Sequence, residues 1–198
     1  MNAPATRKLI ASANVSLDGF SAGPDGDNDV MWFVEHVTDN LSTYFEGVWR
    51  GSTTALLGRK NYEGFYAVWP GITEDPETPV RQRELGVWMN EVEKVVFSNT
   101  LTELEWENAR LAERDLEDEV RELKGAEGRD LIILNSASII QQLLKADLVD
   151  ELRLNLIPAT VGGGLRLFGD GLPRASWDLA AATRLASGAL GLQYSRKT

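Results

Sequence analysis

The sequence predicts an α/β protein whose central sheet is mostly parallel and carries an antiparallel edge. Short apolar runs of strand length alternate with segments of helical period as far as residue 145, which is typical of parallel strands linked by helices. Two further strands, at residues 177–186 and Leu190–Arg196, are separated by Ser187-Gly188 and predict a terminal antiparallel hairpin. The chain has 198 residues and no internal repeat, so we expect one domain over residues 1–198.

The first half of the chain contains three predicted strands. Residues 8–15 form the first, and a loop rich in glycine and aspartate follows it through Asp29. Thr38-Asp39 supplies an N-cap for a helix that reaches about Trp49, with Leu41 and Phe45 on its apolar face. The elements that follow are a strand at residues 55–57, a helix at 60–66, a proline-rich surface connection at 70–79, a helix at 87–93 and a strand at 94–97.

The second half opens with a strongly charged segment at residues 103–128. Leu116, Val120 and Leu123 keep a helical period inside it, so we expect most of its charges on a solvated helix face; a protein-docking patch is the alternative. A buried strand at Asp130–Leu134 then precedes an amphipathic helix that ends near residue 145. The strand Glu151–Ile157 alternates polar and apolar residues and stops before a proline.

Composition excludes several classes of function. The net charge of −10 provides no basic field for nucleic acid or an anionic membrane, so we expect neither as a partner. The chain has no cysteine, and His36 is its single histidine, so we expect no disulfide, no thiolate chemistry and no metal site. The sequence shows neither a signal peptide nor a membrane-spanning run, which predicts a cytoplasmic protein.

The most informative segment is the junction Gly58-Arg59-Lys60-Asn61, where an apolar strand passes straight into a helix. A helix N-terminus has unpaired N–H groups and partial positive charge, so it is suited to bind phosphate. Arg59 and Lys60 add two full positive charges at the same place in an acidic chain. The segment therefore indicates an anion site, and an ordinary strand-to-helix turn with two solvated bases is the alternative.

Three other segments carry small or polar residues at strand ends. Asn135-Ser136-Ala137-Ser138 follows a buried strand and opens a helix, which indicates either a second phosphate contact or simple capping by Ser136. Ser98-Asn99 ends another strand and suits either a ribose contact or a turn. Gly162-Gly163-Gly164 indicates close backbone approach or positive φ, with a flexible loop as the alternative. None of these segments matches the G-x-G-x-x-G or P-loop patterns.

Several motifs, in order along the chain, resemble the dihydrofolate reductase-like superfamily. Ser16-Leu17-Asp18-Gly19 resembles its S-x-D-G start, and Gly58-Arg59-Lys60-Asn61-Tyr62 resembles its G-R-x-T-Y cofactor motif. Leu148-Val149-Asp150-Glu151-Leu152, with the run from Pro158 to Phe168, resembles the L-V-D-E-L…P…G-G-G-x-R-L-F block of the riboflavin-biosynthesis reductase branch. The resemblance implies a dihydrofolate reductase-like fold, NADPH as hydride donor, a small-molecule substrate and a homodimer.

The resemblance also implies which residues form the site. The cofactor contacts that it implies are Ala13 and Asn14 beside the nicotinamide, Gly58, Arg59, Lys60 and Asn61 around the 2′-phosphate and pyrophosphate, Ser98 and Asn99 near the adenosine ribose, and Ser136, Ala137, Ser138 and Ile139 at the pyrophosphate. The substrate contacts that we predict are Trp32, Asp39, Pro158 and Gly163. Asp18 is the candidate catalytic carboxylate because it follows the strand that borders the nicotinamide, and capping of the turn before Gly19 is the alternative.

One departure from the family pattern concerns the substrate. Riboflavin reductases carry V-E-G-G after the fifth strand, and the matching run here is Ile133-Leu134-Asn135-Ser136, so Leu134 stands where the substrate-binding acid is expected. We therefore interpret the chain as an NADPH-dependent reductase of a small pterin-like, pyrimidine-like or carbonyl substrate. The alternative is a non-catalytic NADP(H)-binding or sensing homodimer that has lost the substrate acid.

Overall fold

The computed structural model describes residues 7–26, 29–37 and 46–197. The strands of this part of the chain are β1 (Leu9–Ser16), β2 (Phe20–Ala22), β3 (Ser52–Gly58), β4 (Glu93–Phe97), β5 (Ala109–Leu111), β6 (Asp130–Leu134), β7 (Glu151–Ile157), β8 (Leu165–Arg166), β9 (Trp177–Arg184) and β10 (Leu190–Arg196). The helices are α1 (Met31–Val37), α2 (Glu46–Gly51), α3 (Arg59–Tyr66), α4 (Trp69–Ile72), α5 (Val80–Glu91), α6 (Leu116–Gly125) and α7 (Ala137–Lys145).

The central sheet has the strand order β5-β4-β3-β6-β1-β7-β10-β9. The six strands from β5 to β7 are parallel to their neighbours, whereas β10 pairs antiparallel with both β7 and β9. A separate antiparallel pair joins β2 to β8. The predicted fold class, a mostly parallel sheet flanked by helices with an antiparallel C-terminal hairpin, is confirmed.

Helices cover the two faces of the sheet and form two apolar cores. Side chains of α6 and α7 pack with Leu56 and Ile133 on one face, here the α7 face. Side chains of α2, α3 and α5 pack with Leu57 and Ile132 on the other, here the α5 face. These four strand residues are fully buried, and each such side chain contributes about 1.5–3 kcal/mol to folding. Alternation of side chains along each strand therefore assigns neighbouring residues to opposite cores.

The described elements differ from the predicted ones in four places. The helix α1 lies just after the predicted loop, and the predicted helix N-cap at Thr38-Asp39 lies outside the described residues. The helix α5 begins at Val80, directly after Pro79, and therefore starts earlier than predicted. The short helix α4, with proline in its first turn, occupies part of the predicted surface connection. The strands β2, β5 and β8 have two or three residues each, too few to show a period in the sequence.

Part of the charged segment forms α6, and not all of its charged side chains face solvent. Val120 and Leu123 are buried, which confirms the predicted apolar stripe. Glu119 departs from the expected solvated face, because it is 2% exposed and pairs with Arg110 at 2.7 Å. Part of this charge therefore anchors α6 to β5 rather than facing water.

Lys94 at the start of β4 is fully buried. Its Nζ donates hydrogen bonds to the carbonyl oxygens of Met89, Asn90 and Val92, at 2.9, 3.1 and 2.7 Å. The ammonium also lies 4.6 Å from the ring centroid of Trp106. These carbonyls end α5 and have no partner within the helix, so Lys94 closes the C-terminus of α5.

Candidate functional site

A cavity of about 1020 Å³ opens at the carboxyl edge of the parallel strands. It lies where the neighbouring strands β3 and β6 send their helices to opposite faces: α3 packs on the α5 face and α7 on the α7 face. Such a switch point leaves a crevice between the two strand ends, which is where ligands bind in open α/β sheets. Both predicted phosphate junctions line this cavity.

Two helix N-termini meet across the crevice without side-chain caps. Neither α3 nor α7 has a capping hydrogen bond from the side chain of its N-cap residue, Gly58 or Ser136. The hydroxyl oxygen of Ser136 instead accepts a hydrogen bond of 3.1 Å from the backbone N–H of Gly58. The amide of Asn61 donates to the carbonyl of Leu134 at 3.2 Å. These bonds hold the two junctions together and leave the helix ends open to an anion.

The charged side chains lining the cavity are mostly cationic. Arg59 and Lys60 lie at the start of α3, and Arg114 with Asp115 lies just before α6. Arg59 binds Glu63 through Nη1 at 3.0 Å, which leaves its Nε and Nη2 for another acceptor. Arg114 reaches Glu122 at 2.9 Å. The end of the cavity nearest β3 and β5 therefore suits phosphate groups.

At the end of β1, the side chain of Asn14 lines the cavity in an orientation fixed by two partners. The backbone N–H of Asn14 donates to Oδ1 of Asn135 at 2.9 Å, and Asn135 itself has φ of +52°. The side-chain amide of Asn155 donates to Oδ1 of Asn14 at 2.8 Å, and Asn155 is 1% exposed. Because its oxygen is occupied, Asn14 has its amide N–H groups left to offer a ligand.

Most of the predicted cofactor residues come together around this cavity. Those that line it are Asn14, Gly58, Arg59, Lys60, Asn61, Ser98, Asn99, Ala137, Ser138 and Ile139. Ala13 alternates to the other side of β1 and packs in the core on the α7 face. Ser136 is buried between the two junctions, where its hydroxyl holds Gly58. Ala13 and Ser136 thus adjoin the cavity wall without forming it.

The three predicted substrate residues that the structure describes do not line the cavity. Trp32 donates from Nε1 to the carbonyl of Asp29 at 3.1 Å and packs beside Ile157, while its neighbour Phe33 lines the cavity. Pro158 and Gly163 belong to the segment after β7 and do not line the cavity, although Leu165, at the end of the same segment, does. Asp39 lies outside the described residues.

Asp18 also stands apart from the cavity lining, and its carboxylate fastens a loop. It accepts hydrogen bonds from the hydroxyl of Ser16 at 2.6 Å and from the backbone N–H groups of Val161 and Gly162, at 3.1 and 2.7 Å. The Ser16 hydroxyl, then the N–H of Gly162, lowers the pKa of Asp18 to about 2. Asp18 therefore stays ionised at neutral pH and positions the glycine-rich segment.

The glycine run requires its smallest residue at Gly164. This glycine has φ of +110°, and a Cβ there would lie 2.2 Å from the carbonyl oxygen of Ala22. Both observations exclude a larger side chain, so the close approach predicted for the glycine run is present at this position.

Sequence reasoning missed an apolar part of the cavity. Its walls come from α2 to α5 and include the side chains of Trp49, Phe65, Val68, Trp69, Ile72, Leu85, Trp88 and Met89. In the sequence these residues read as the apolar stripes of ordinary helices, because a core position and a cavity wall have the same hydrophobic period. Arg114 was missed since it falls among many other charges.

The described residues contain neither a membrane-spanning helix nor a cluster of metal ligands. No described helix is both long and apolar enough to cross a membrane. Within the same residues, no group of three or more histidine, aspartate or glutamate side chains is arranged to hold a metal ion.

Comparison with known proteins identifies the family. Residues 7–190 match the family model of the RibD C-terminal domain. The chain belongs to the RibD C-terminal domain family. It is also 29% identical over 188 residues to the uncharacterized protein YyaP of Bacillus subtilis (strain 168), a match that covers 95% of this chain and 94% of YyaP. Membership of the RibD C-terminal domain family confirms the resemblance found in the sequence.

Solved structures place the same fold in the dihydrofolate reductase-like group. A riboflavin biosynthesis candidate from Shewanella sp. PV-4 has a TM-score of 0.74 and 24% identity, covering 96% of this chain and 99% of its own. Dihydrofolate reductase from Enterococcus faecalis, solved with NADP(H), has a TM-score of 0.59 and 14% identity, covering 96% and 97%. This RibD C-terminal domain therefore shares its fold with both proteins.

Proposed function

We propose that this protein is an NADPH-dependent reductase whose cofactor binds across the β3–β6 switch point. The observation that carries the proposal is the pair of uncapped helix N-termini joined by the bond from Gly58 to Ser136. Together they offer backbone N–H groups from two sides to a pyrophosphate. Family membership and the reductase fold support the same reading.

The charged end of the cavity suits the phosphates of NADPH in particular. Arg59 and Lys60 would bind the 2′-phosphate side, with Arg114 contributing a third positive charge from the segment after β5. Ser98 and Asn99 would contact the adenosine ribose, and Ala137, Ser138 and Ile139 the pyrophosphate. The nicotinamide would then lie toward the end of β1, beside Asn14.

NADPH, when bound, supplies the hydride, and the chain supplies orientation and electrostatics. The amide N–H groups of Asn14 would donate to a substrate oxygen as negative charge develops on it, while Asn155 holds that amide in place. The apolar walls of the cavity exclude water from the same region. Solvent supplies the proton that completes reduction of a carbonyl group to an alcohol.

The riboflavin precursor is expected to be a poor substrate. Leu134 lines the cavity at the position where the riboflavin reductases place an acid, so a polar pyrimidine would lose one hydrogen-bond partner. A panel of pterins, ribitylaminopyrimidines and simple carbonyl compounds, assayed by loss of NADPH absorbance, tests the activity. Oxidation of NADPH that depends on a panel member supports the reductase.

A non-catalytic NADP(H)-binding or sensing protein is the second candidate. The absence of the acid at Leu134 favours it, since the cofactor end of the site is retained without that substrate group. Cofactor binding without turnover of any panel member would select this function over the reductase. Failure to bind NADPH would contradict both candidates.

We also propose a homodimer. The outer strand β9 exposes a long edge in the monomer, and its Leu179 is 56% exposed. Unprotected edges with apolar side chains are commonly covered by another chain. Sedimentation equilibrium is expected to give twice the monomer mass, and a monomer mass at micromolar concentration would contradict the dimer.

A further inference from the structure

The apolar part of the cavity forms a distinct region, which we call the aromatic chamber. Its floor is made by Trp49, Leu85, Trp88 and Met89, and its rim by Phe65 and Trp69. The floor residues are 2–9% exposed, so the chamber reaches into the core on the α5 face. It opens into the same cavity as the cofactor junctions, which makes it the place where a substrate can meet the cofactor.

Close packing fixes the floor of the chamber. The rings of Trp49 and Trp88 have centroids 5.8 Å apart at an angle of 49°. Nε1 of Trp88 donates to the carbonyl of Ser52 at 3.3 Å, so this N–H group is occupied within the protein. A Cβ at Gly86 would lie 3.1 Å from the side chain of Thr73, which shows how closely α5 approaches α4. Nε1 of Trp49 is buried and has no hydrogen-bond partner among the described residues. The floor is therefore preformed and largely apolar, with one N–H donor left unpaired.

Charge is absent from this end among the described lining residues. The charged side chains of the cavity are Arg59, Lys60, Arg114 and Asp115, and none of them belongs to α2, α4 or α5. The side chain of Gln82 on α5 adds a neutral polar group. The guanidinium of Arg50 on α2 lies 4.4 Å from the ring centroid of Trp49, but Arg50 does not line the cavity. It is already bound to Glu46 and Glu84, at 2.7 and 3.0 Å. A phosphate or carboxylate placed in the chamber would therefore lose its hydration without gaining an unpaired cation, whereas an aromatic ring would gain contact with three tryptophans.

We infer that the aromatic chamber binds a neutral aromatic ring that carries the carbonyl group to be reduced. The substrate class is thus an uncharged aromatic carbonyl compound rather than a phosphorylated or carboxylated heterocycle. This inference rests on the proposed reductase function for the fate of the carbonyl, but the binding itself does not require turnover. The reaction adds a hydride to the carbonyl carbon and a solvent proton to its oxygen, with NADPH oxidised to NADP⁺.

A matched pair of probes tests the inference without relying on activity. Equilibrium dialysis measures binding of 2-naphthaldehyde and of 6-formyl-2-naphthoate, which differ by one carboxylate, to the wild-type protein. We expect the neutral aldehyde to bind at least about tenfold more tightly, a difference of roughly 1.4 kcal/mol. Equal affinities, or tighter binding of the carboxylate, would overturn the proposal.

A charge placed on the rim provides the matched variant. Val68 lines the cavity and is 53% exposed, so Val68→Lys adds a cation with little cost to folding. This variant is expected to bind the carboxylate probe more tightly than the wild type does. Val87→Lys is the control, because Val87 is 43% exposed on α5 and does not line the cavity. An equal gain in both variants would mean that the probe binds outside the chamber.

A variant of the rim residue Trp69 and a separate NADPH titration distinguish binding in the chamber from binding of the cofactor. Trp69→Ala removes a half-buried rim side chain and is expected to weaken binding of 2-naphthaldehyde while leaving NADPH affinity unchanged. NADPH affinity is measured independently on the same protein. If the wild-type protein prefers the neutral aldehyde but does not bind NADPH, the proposed function alone is contradicted. If it binds NADPH but does not prefer the neutral aldehyde, the substrate class proposed for the aromatic chamber alone is contradicted.

Discussion

The hydroxyl oxygen of Ser136 accepts a hydrogen bond of 3.1 Å from the backbone N–H of Gly58, a residue 78 positions away in the sequence. Ser136 occupies the N-cap position of α7, where serine normally bonds to its own helix. Its hydroxyl instead joins the ends of β3 and β6 and leaves the start of α7 uncapped. Together with the bond from Asn61 to the carbonyl of Leu134, this contact joins the two junctions that the sequence marked separately.

Added bulk at the start of α7 should block the cofactor. In Ala137→Leu the larger side chain would occupy space beside the helix N-terminus, so NADPH affinity is expected to fall at least about tenfold. Isothermal titration calorimetry measures the affinity, and circular dichroism reports folding. Ala146→Leu, at the other end of the same helix, is the matched control and should bind NADPH normally.

Because Ala137 is 3% exposed, a second variant guards against unfolding. Ser138 lines the cavity from an exposed position, and Ser138→Leu should weaken NADPH binding in a folded protein. Unchanged affinity in both variants would show that this segment only begins a helix.

Asn14 is expected to act on the reacting oxygen. Asn14→Ala should lower kcat by about 10²–10³-fold, the usual cost of removing a donor to developing negative charge. NADPH affinity should change little, because the phosphate contacts lie elsewhere. Asn155→Ala should give a smaller loss in the same direction, since Asn155 only holds the amide of Asn14. An unchanged kcat in Asn14→Ala would remove this residue from the mechanism.

Asp18 offers a test between a direct role in the reaction and a role in positioning the loop. In Asp18→Asn, the N–H groups of Val161 and Gly162 lose their ionised acceptor, so hydrogen exchange at these amides should become faster. NADPH affinity should be retained because Asp18 does not line the cavity. Asp25→Asn, at an exposed position, serves as the control. If Asp18→Asn loses turnover while hydrogen exchange at Val161 and Gly162 is unchanged, Asp18 acts directly in the reaction, as the sequence suggested.

The low pKa of Asp18 also predicts a dependence of stability on pH. The hydrogen bonds from Ser16 and Gly162 lower the pKa from 3.8 to about 2, so the folded state binds the proton less readily than the unfolded state. The stabilisation is fully present above pH 3.8 and disappears as the pH falls toward 2. Wild type should therefore lose stability relative to Asp18→Asn across this window in urea unfolding.

The buried charge of Lys94 is expected to stabilise the fold. Lys94→Met leaves the three carbonyls at the end of α5 without donors, which should lower the free energy of unfolding by about 2–4 kcal/mol. Urea unfolding measures the change. Lys145→Met is the control, because it places the same substitution at an exposed helix end. If Lys94→Met lowers the free energy of unfolding no more than Lys145→Met does, the role given to Lys94 is contradicted.

The difference in free energy of unfolding between the wild type and Lys94→Met is also predicted to depend on pH. Burial lowers the pKa of Lys94 from 10.5 to about 8, so between these values the unfolded state binds more protons than the folded state. Stability contributed by Lys94 therefore rises as the pH increases from 8 to 10.5, and the deficit of Lys94→Met should widen. A deficit independent of pH would show that the pKa of Lys94 is not lowered.

The sequence predicted the parallel sheet and both strand-to-helix junctions because these depend on local patterns. An apolar strand that runs into Gly58 and Arg59, or into Asn135 and Ser136, is visible in a few consecutive residues. The sequence could not show that Ser136 reaches Gly58, because that contact depends on the placement of β3 beside β6. The aromatic chamber was missed for a similar reason, since Trp88 has the same helical period whether it packs in a core or lines a cavity.

The central claim is that the cationic junction binds the 2′-phosphate of NADPH, and calorimetric titration of the wild type with NADPH and NADH tests it most directly. Charge-assisted contacts to that phosphate predict roughly ten- to a hundredfold tighter binding of NADPH. Arg59→Ala should weaken the binding of NADPH far more than that of NADH, so the two affinities should become more similar. Equal affinities of the wild type for the two cofactors would contradict the account.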